Sequence, residues 1–165
     1  NIMLLELAII GLLILLAITI YVSLLYFGLF EDIEVKVGKP PYQFGGRTIG
    51  YKKQRGKYSE AGALFTNLHS LVPKLNLIGI YFDDPDQGDQ INNKYIVGAL
   101  LSQDEKLREE EIDLLTKNDF QFGQLPVVDH VVNSVFPFKG VISIVIAIRR
   151  VYPVIKSYIK VSNFV

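Results

Sequence analysis

The sequence predicts an α+β domain carried behind one membrane-spanning helix, and three observations lead there. The first is the placement of charge. The chain has 165 residues with seventeen Lys/Arg and seventeen Asp/Glu, yet Leu7–Phe30 holds no charged residue and Glu6 is the only charge in the first thirty. The second is that the remaining 135 residues mix apolar, β-branched runs with stretches of helical spacing and show no long-period repeat. The third is the absence of cysteine, which excludes a disulfide framework, a thiolate zinc site and a cysteine nucleophile. A domain of 135 residues can bury roughly two-thirds of its chain surface and needs no staples. From Glu31 onward the net charge is +1, which argues against nucleic acid as a partner.

Leu7–Phe30 supplies twenty-four uncharged residues, and a helix needs about twenty to cross the hydrocarbon core. The run has no polar face, so it is not an interfacial helix. Tyr21, Tyr26, Phe27 and Phe30 crowd its C-terminal end, where aromatic rings favour the headgroup level. A signal peptide would need a basic start, a shorter apolar core and a small-residue cleavage site. Lys36, Lys39 and Arg47 follow the run and no Lys or Arg precedes it, so the positive-inside bias puts the domain in the cytosol. Residues 1–30 are thus expected as a transmembrane anchor, 31–46 as a Pro/Gly spacer and 47–165 as the folded domain.

Within the domain, Thr48–Tyr51 reads as a strand ending in a charged turn, Lys52–Gly56. Glu60–Leu71 places Ala61, Leu64, Phe65 and Leu68 on one helical face and stops before Pro73. Leu75–Phe82 and Lys94–Leu101 read as strands around the turn-rich Asp83–Gly88. Ser102 with Glu105 is a capping box opening a helix to about Lys117. Val127–Phe136 reads as a strand ended by Pro137. Val141–Ile148 is apolar but for Ser143, so its periodicity does not separate helix from strand.

The blocks Ile80-Tyr81-Phe82-Asp83-Asp84-Pro85 and Val97-Gly98-Ala99-Leu100-Leu101-Ser102 resemble the first half of a GyrI-like domain. Phe136-Pro137-Phe138, Ile148-Arg149-Arg150-Val151-Tyr152-Pro153 and Tyr158-Ile159-Lys160, behind an N-terminal anchor, resemble more narrowly the testis-expressed protein 264 family of membrane-anchored GyrI-like proteins. That resemblance implies two strand-helix-strand-strand modules with a cleft between them. Gly140–Lys160 would then be the helix of a second module whose last two strands lie beyond Val165. It also implies a single-pass receptor or adaptor for selective autophagy of the endoplasmic reticulum. In that family a disordered tail with an acidic aromatic-x-x-aliphatic motif adds a strand to an autophagy ubiquitin-like protein. The expected partners are therefore the lipid bilayer, such a ubiquitin-like protein through a tail outside this sequence, and other subunits of a membrane complex. The alternatives are a tethered small-molecule-binding or hydrolytic GyrI-like module and a structural subunit of a larger membrane assembly.

Candidate sites are few. If the cleft takes a ligand, Tyr51, Tyr58 and Tyr81 are the expected lining, with core packing as the competing account. Lys52, Lys53, Arg55 and Lys57 form a basic cluster that would gain about 1 kcal/mol per residue near an anionic leaflet, against the plainer account of a solvated turn. Arg149 or Arg150 is expected to be partly buried against a carboxylate such as Asp83 or Glu60. Phe30-Glu31-Asp32-Ile33 has the spacing of the autophagy motif, but Phe30 is better placed as an interfacial aromatic. Phe65-x-x-Leu68 and Phe122-x-x-Leu125 share that spacing and are expected in the core. The acidic loop Asp83, Asp84, Asp86 and Asp89 fails the calcium-loop pattern, because counting from Asp84 the sixth and twelfth positions are Asp89 and Tyr95. His69 and His130 lack a third ligand at metal spacing. Gly45-x-x-x-x-Gly50 is followed by Tyr51-Lys52, not by a phosphate-loop Lys-Ser/Thr. No nucleophile elbow or general base is evident. The expectation is a protein that binds, with no cofactor, no metal and no catalytic residue.

Overall fold

A computed structural model describes residues 2–84, 86 and 90–162. In chain order the elements are α1 (Ile2–Tyr26), β1 (Lys36–Gly38), β2 (Thr48–Arg55), α2 (Ala61–Leu71), β3 (Asn76–Tyr81), β4 (Lys94–Leu100), α3 (Glu105–Thr116), β5 (Gln121–Gln124), β6 (Val131–Asn133) and α4 (Val141–Val161). The class is α+β, with a long apolar N-terminal helix and a sheet domain, as the sequence predicts. The chain divides into two compact units, Tyr42–Val127 and the pair of segments Asn1–Pro41 and Val128–Val165. The segment expected as spacer carries β1, which pairs with β6.

Tyr42–Val127 is built on an antiparallel sheet of order β3-β4-β2-β5. Strand alternation sends Tyr95, Val97 and Ala99 of β4 to one face, where Ala61 and Leu68 of α2 and Leu115 of α3 cover them. Leu68, Leu115 and Ala99 are fully buried there. The other face gathers Ile49, Leu100 and Leu125, with Phe44, Tyr51, Ile78 and Ile80 packed around them. Phe65, Leu68, Phe122 and Leu125 all join these two cores, as expected of both internal aromatic-x-x-Leu pairs. At Gly98 the strands approach so closely that a Cβ would lie 2.7 Å from the Gly50 carbonyl oxygen and 2.9 Å from the Tyr51 Cβ. Only glycine fits there.

Three local expectations are corrected in this unit. Lys52–Arg55 is not a turn: β2 runs on through Arg55, because Lys52 pairs with Val97 and Arg55 with Lys94 on the long partner strand. The turn begins at Gly56, whose φ of +147° suits glycine and whose N–H donates to the Asn93 carbonyl at 2.9 Å. The cap of α3 is Asp104, not Ser102. The Asp104 carboxylate accepts from the Leu107 N–H at 3.0 Å. Ser102 is committed elsewhere, its N–H donating to the Glu111 carboxylate at 2.8 Å and its hydroxyl to the other oxygen of the same group. Finally, β5 lies in a segment where no strand was expected.

In the other unit, α1 buries no residue and is long and apolar enough to cross a membrane. At about 1.5 Å per residue it reaches roughly 37 Å, more than a hydrocarbon core of about 30 Å. The strand expected over Val127–Phe136 is confined to Val131–Asn133, paired antiparallel with β1 from Lys36↔Asn133 to Gly38↔Val131. Val141–Val161 is a helix despite Pro153 within it. Its start is closed by Ser143, whose hydroxyl accepts from the Lys139 N–H at 2.8 Å and donates to the Gly140 carbonyl at 2.6 Å.

Candidate functional site

The candidate tyrosines do not form one lining. Tyr58 and Tyr81 meet edge to face with ring centroids 4.7 Å apart, and both also contact Tyr95. Tyr51 projects from the opposite sheet face, with its ring edge over Gly123 and its Cβ against Gly98. The Tyr58 hydroxyl is committed to the chain after β3. It donates to the Asp83 carbonyl at 2.8 Å and accepts from the Asp83 N–H at 2.9 Å. The Asp83 carboxylate in turn accepts from the Lys94 N–H at 2.5 Å. This constellation closes the start of the acidic loop onto β4. Asp83 therefore serves the backbone, and Pro85 and Asp89 lie outside the described residues.

Tyr95, missed as a member of this cluster, sits at its centre and is almost fully buried. Burial, and secondarily the negative charge of Glu60, push its phenol above the ordinary 10.0. The signal for Tyr95 was available: in β4 it alternates with Val97 and Ala99 on the face that α2 covers.

Strand geometry also divides the basic cluster. Lys52 reaches the helix-covered side, its ammonium 4.7 Å from the Phe120 ring centroid. Lys53 turns to the other side, 5.7 Å from the Tyr51 ring. Arg55 shares the side of Lys53 by strand alternation and is exposed, while Lys57 is exposed just ahead of a 3-10 turn at Tyr58–Glu60. A shallow depression of about 240 Å³ lies beside them, lined by Lys52, Lys53, Gln54, Asp119 and Gln121. His69 and His130 are exposed, and no group of three or more His, Cys, Asp or Glu side chains is placed to hold a metal ion among the described residues.

The second constellation surrounds the end of α1. Arg150 is half-buried, and its guanidinium donates to the main-chain carbonyls of Glu31 at 2.7 Å and Gly28 at 3.3 Å. Its partners are therefore backbone oxygens, not the Asp83 or Glu60 carboxylates. Both bonds leave the same terminal nitrogen, Nη1, whose two N–H groups can serve two carbonyls of an irregular turn at once. Gly28 has φ +88° and lies against Phe136, whose ring would be 2.9 Å from any Cβ at that position. Lys139 places its ammonium 4.9 Å from the centroid of the Tyr26 ring. Phe30 remains exposed, its ring 6.0 Å from that of Tyr21, an arrangement suited to the interfacial aromatic role. The chain leaving α1 is thus held by residues more than a hundred positions later.

A long apolar helix with no buried residue, joined to a folded sheet domain, defines an α+β protein whose N-terminal helix fits a membrane anchor. Comparison with known proteins narrows the class. The chain is 39% identical over 151 residues to human (Homo sapiens) testis-expressed protein 264, a match that covers 91% of this chain and 48% of the relative. It is 38% identical over 136 residues to the mouse (Mus musculus) testis-expressed protein 264 homolog, covering 82% of this chain and 43% of that protein. The chain is therefore a homologue of testis-expressed protein 264 over most of its length, matching the family its motif blocks resemble. It spans about half the length of these curated relatives. No family model and no solved structure matches it.

Proposed function

We propose that the chain is the anchor and folded portion of a receptor or adaptor for selective autophagy of the endoplasmic reticulum, with a GyrI-like domain in the cytosol. The observation that carries this reading is α1, a helix without one buried residue, leading directly into residues homologous to testis-expressed protein 264. Charge supports the orientation. Lys36 and Lys39 follow the helix, and Arg150 and Lys139 are brought to the same end through their contacts with residues 26–31. The protein acts by holding a partner at the membrane, where tethering raises effective concentration, and not by catalysis. A ubiquitin-like autophagy protein is the proposed partner, met through a segment outside this sequence.

The test compares starved cells lacking the protein with the same cells after its return, following delivery of an endoplasmic-reticulum reporter to lysosomes. The reading expects delivery to fall on loss and recover on return, and unchanged delivery overturns it. Digestion of sealed microsomes by added protease checks the topology, because a cytosolic domain is cut without detergent and a lumenal one is not.

A further inference from the structure

We propose that the junction between α1 and the rest of its unit is a rigid socket and not a flexible tether, so that the membrane anchor fixes the tilt at which β6 and the first half of α4 stand to the bilayer. Nine residues, 27–35, separate α1 from β1. As a flexible coil they would have an end-to-end distance of roughly 15–18 Å and no fixed direction. The structure instead pins this segment along its length.

Its own backbone closes first. The Leu29 N–H donates to the Leu24 carbonyl at 2.9 Å and the Gly28 N–H to the Leu25 carbonyl at 3.1 Å. This is the paired bonding of a Schellman cap, with Gly28 at φ +88° in the left-handed position. The chain thereby turns off the helix at one defined angle. The Glu31 N–H then donates back to the Gly28 carbonyl at 3.1 Å.

Residues far along the chain lock that turn. The Arg150 guanidinium bridges the Gly28 and Glu31 carbonyls, the two ends of the turn, at 3.3 and 2.7 Å. The Phe136 ring rests on Gly28, where a Cβ would meet it at 2.9 Å. The Lys139 ammonium lies 4.9 Å from the ring centroid of Tyr26, the last residue of α1. After residues 32–35, β1 begins and pairs with β6 from Lys36↔Asn133 to Gly38↔Val131. One contact would act as a swivel, whereas several spread from Tyr26 to Gly38 resist rotation in more than one direction. This rests on the anchor reading of the proposed function and deepens it: with α1 inserted, the unit is mounted at a fixed angle to the bilayer as well as held near it.

The sequence contains no cysteine, so spin labels can be placed at pairs of introduced cysteines. The chain is reconstituted in phosphatidylcholine nanodiscs, and distances between labels are measured by pulsed electron–electron double resonance. Ile10→Cys with Val145→Cys spans the junction, Ile10 lying about 24 Å along α1 from Tyr26. Ile10→Cys with Val22→Cys lies within α1 and gives the width of a rigid body, and all three positions are exposed. The expected result is a distribution across the junction as narrow as the one within α1. Arg150→Gln combined with Phe136→Ala should broaden the junction distribution severalfold and leave the one within α1 unchanged. Arg150→Gln alone should broaden it less, and carries the comparison if circular dichroism shows that the double variant loses helix.

A broad junction distribution in the parent overturns the socket and leaves the anchor standing. A narrow one that neither variant widens overturns it as well, because these contacts then do not set the angle. Relaxation of the Ile10→Cys label by oxygen and not by a water-soluble nickel chelate reports insertion. Relaxation by the chelate overturns the anchor, and with it the mounting on the bilayer, whatever the width.

Discussion

The two units divide the chemistry of stability unequally. Among the described residues, every buried apolar side chain except Ile146 lies in Tyr42–Val127, where both faces of a four-stranded sheet carry a core. The unit made of Asn1–Pro41 and Val128–Val165 has a two-stranded sheet, three residues per strand, and long helices that expose most of their apolar surface. Isolated two-stranded sheets are marginal in water. The first unit is therefore held by the hydrophobic effect. The second, among the described residues, is tied together by a few polar contacts, Arg150 foremost. The same aliphatic residue types thus serve as interior in one unit and as exposed surface in the other.

This contrast can be broken most forcefully at Leu68. It is fully buried between α2 and β4, so Leu68→Ala should cost about 2–5 kcal/mol, read as a lower urea midpoint in the full chain. The same truncation at exposed Ile148 should leave that midpoint within about 0.5 kcal/mol of the parent. Next in size is Arg150→Gln, which removes two hydrogen bonds from a half-exposed guanidinium, one of them long at 3.3 Å, together contributing about 1.5–3 kcal/mol. Its expected signature is faster amide exchange over residues 28–33 with the urea midpoint of the sheet unit unmoved. A coincident loss of both would contradict the division.

Asp104→Ala should cost about 1 kcal/mol and speed exchange at the Leu107 amide, whereas Ser102→Ala should leave that amide protected. The smallest effect at ordinary pH belongs to Tyr95. Its phenol is raised in the folded state, so the unfolded chain releases the proton first as pH climbs. The stabilising contribution is complete below pH 10.0 and is lost as pH rises through the folded value. Urea midpoints measured on either side of pH 10.0 should fall for the parent and fall less for Tyr95→Phe.

Much of the sheet unit was legible because its elements are long and regularly patterned. Leu64, Phe65 and Leu68 mark α2 by spacing, and alternation around Val97 and Ala99 marks β4. The pattern failed where a partner strand overrides composition. Lys52–Arg55 is charged enough to resemble a turn, yet β4 continues opposite it and supplies the hydrogen bonds. Gln121-Phe122-Gly123-Gln124 is too short and mixed to show a period, and Lys36-Val37-Gly38 hides among prolines and glycines. For the capping box, Ser102 and Asp104 compete within three residues, and Glu111, a full two turns into α3, decides between them by taking Ser102.

The candidate sites were less legible than the fold. Three tyrosines and four basic residues were chosen for their chemistry, and the pleat then sends Tyr51 away from Tyr58 and Tyr81, and Lys52 away from Lys53. The grip of Arg150 on Gly28 and Glu31 spans more than a hundred residues and ends on main-chain oxygens, which no side-chain pattern reveals.

Pro153 gives α4 a mechanical property beyond its surface chemistry. Proline has no N–H to donate, so the carbonyl of Arg149 loses its helical partner, and the ring pushes against that same turn. Stiffness along a helix comes from its ladder of hydrogen bonds, and here one rung is missing. The helix nevertheless runs on without interruption from Val141 to Val161. Its first half is tied by Arg150 to the chain that follows α1. With one rung of the ladder missing at Arg149, bending the helix there costs fewer hydrogen bonds than bending it anywhere in the turns before.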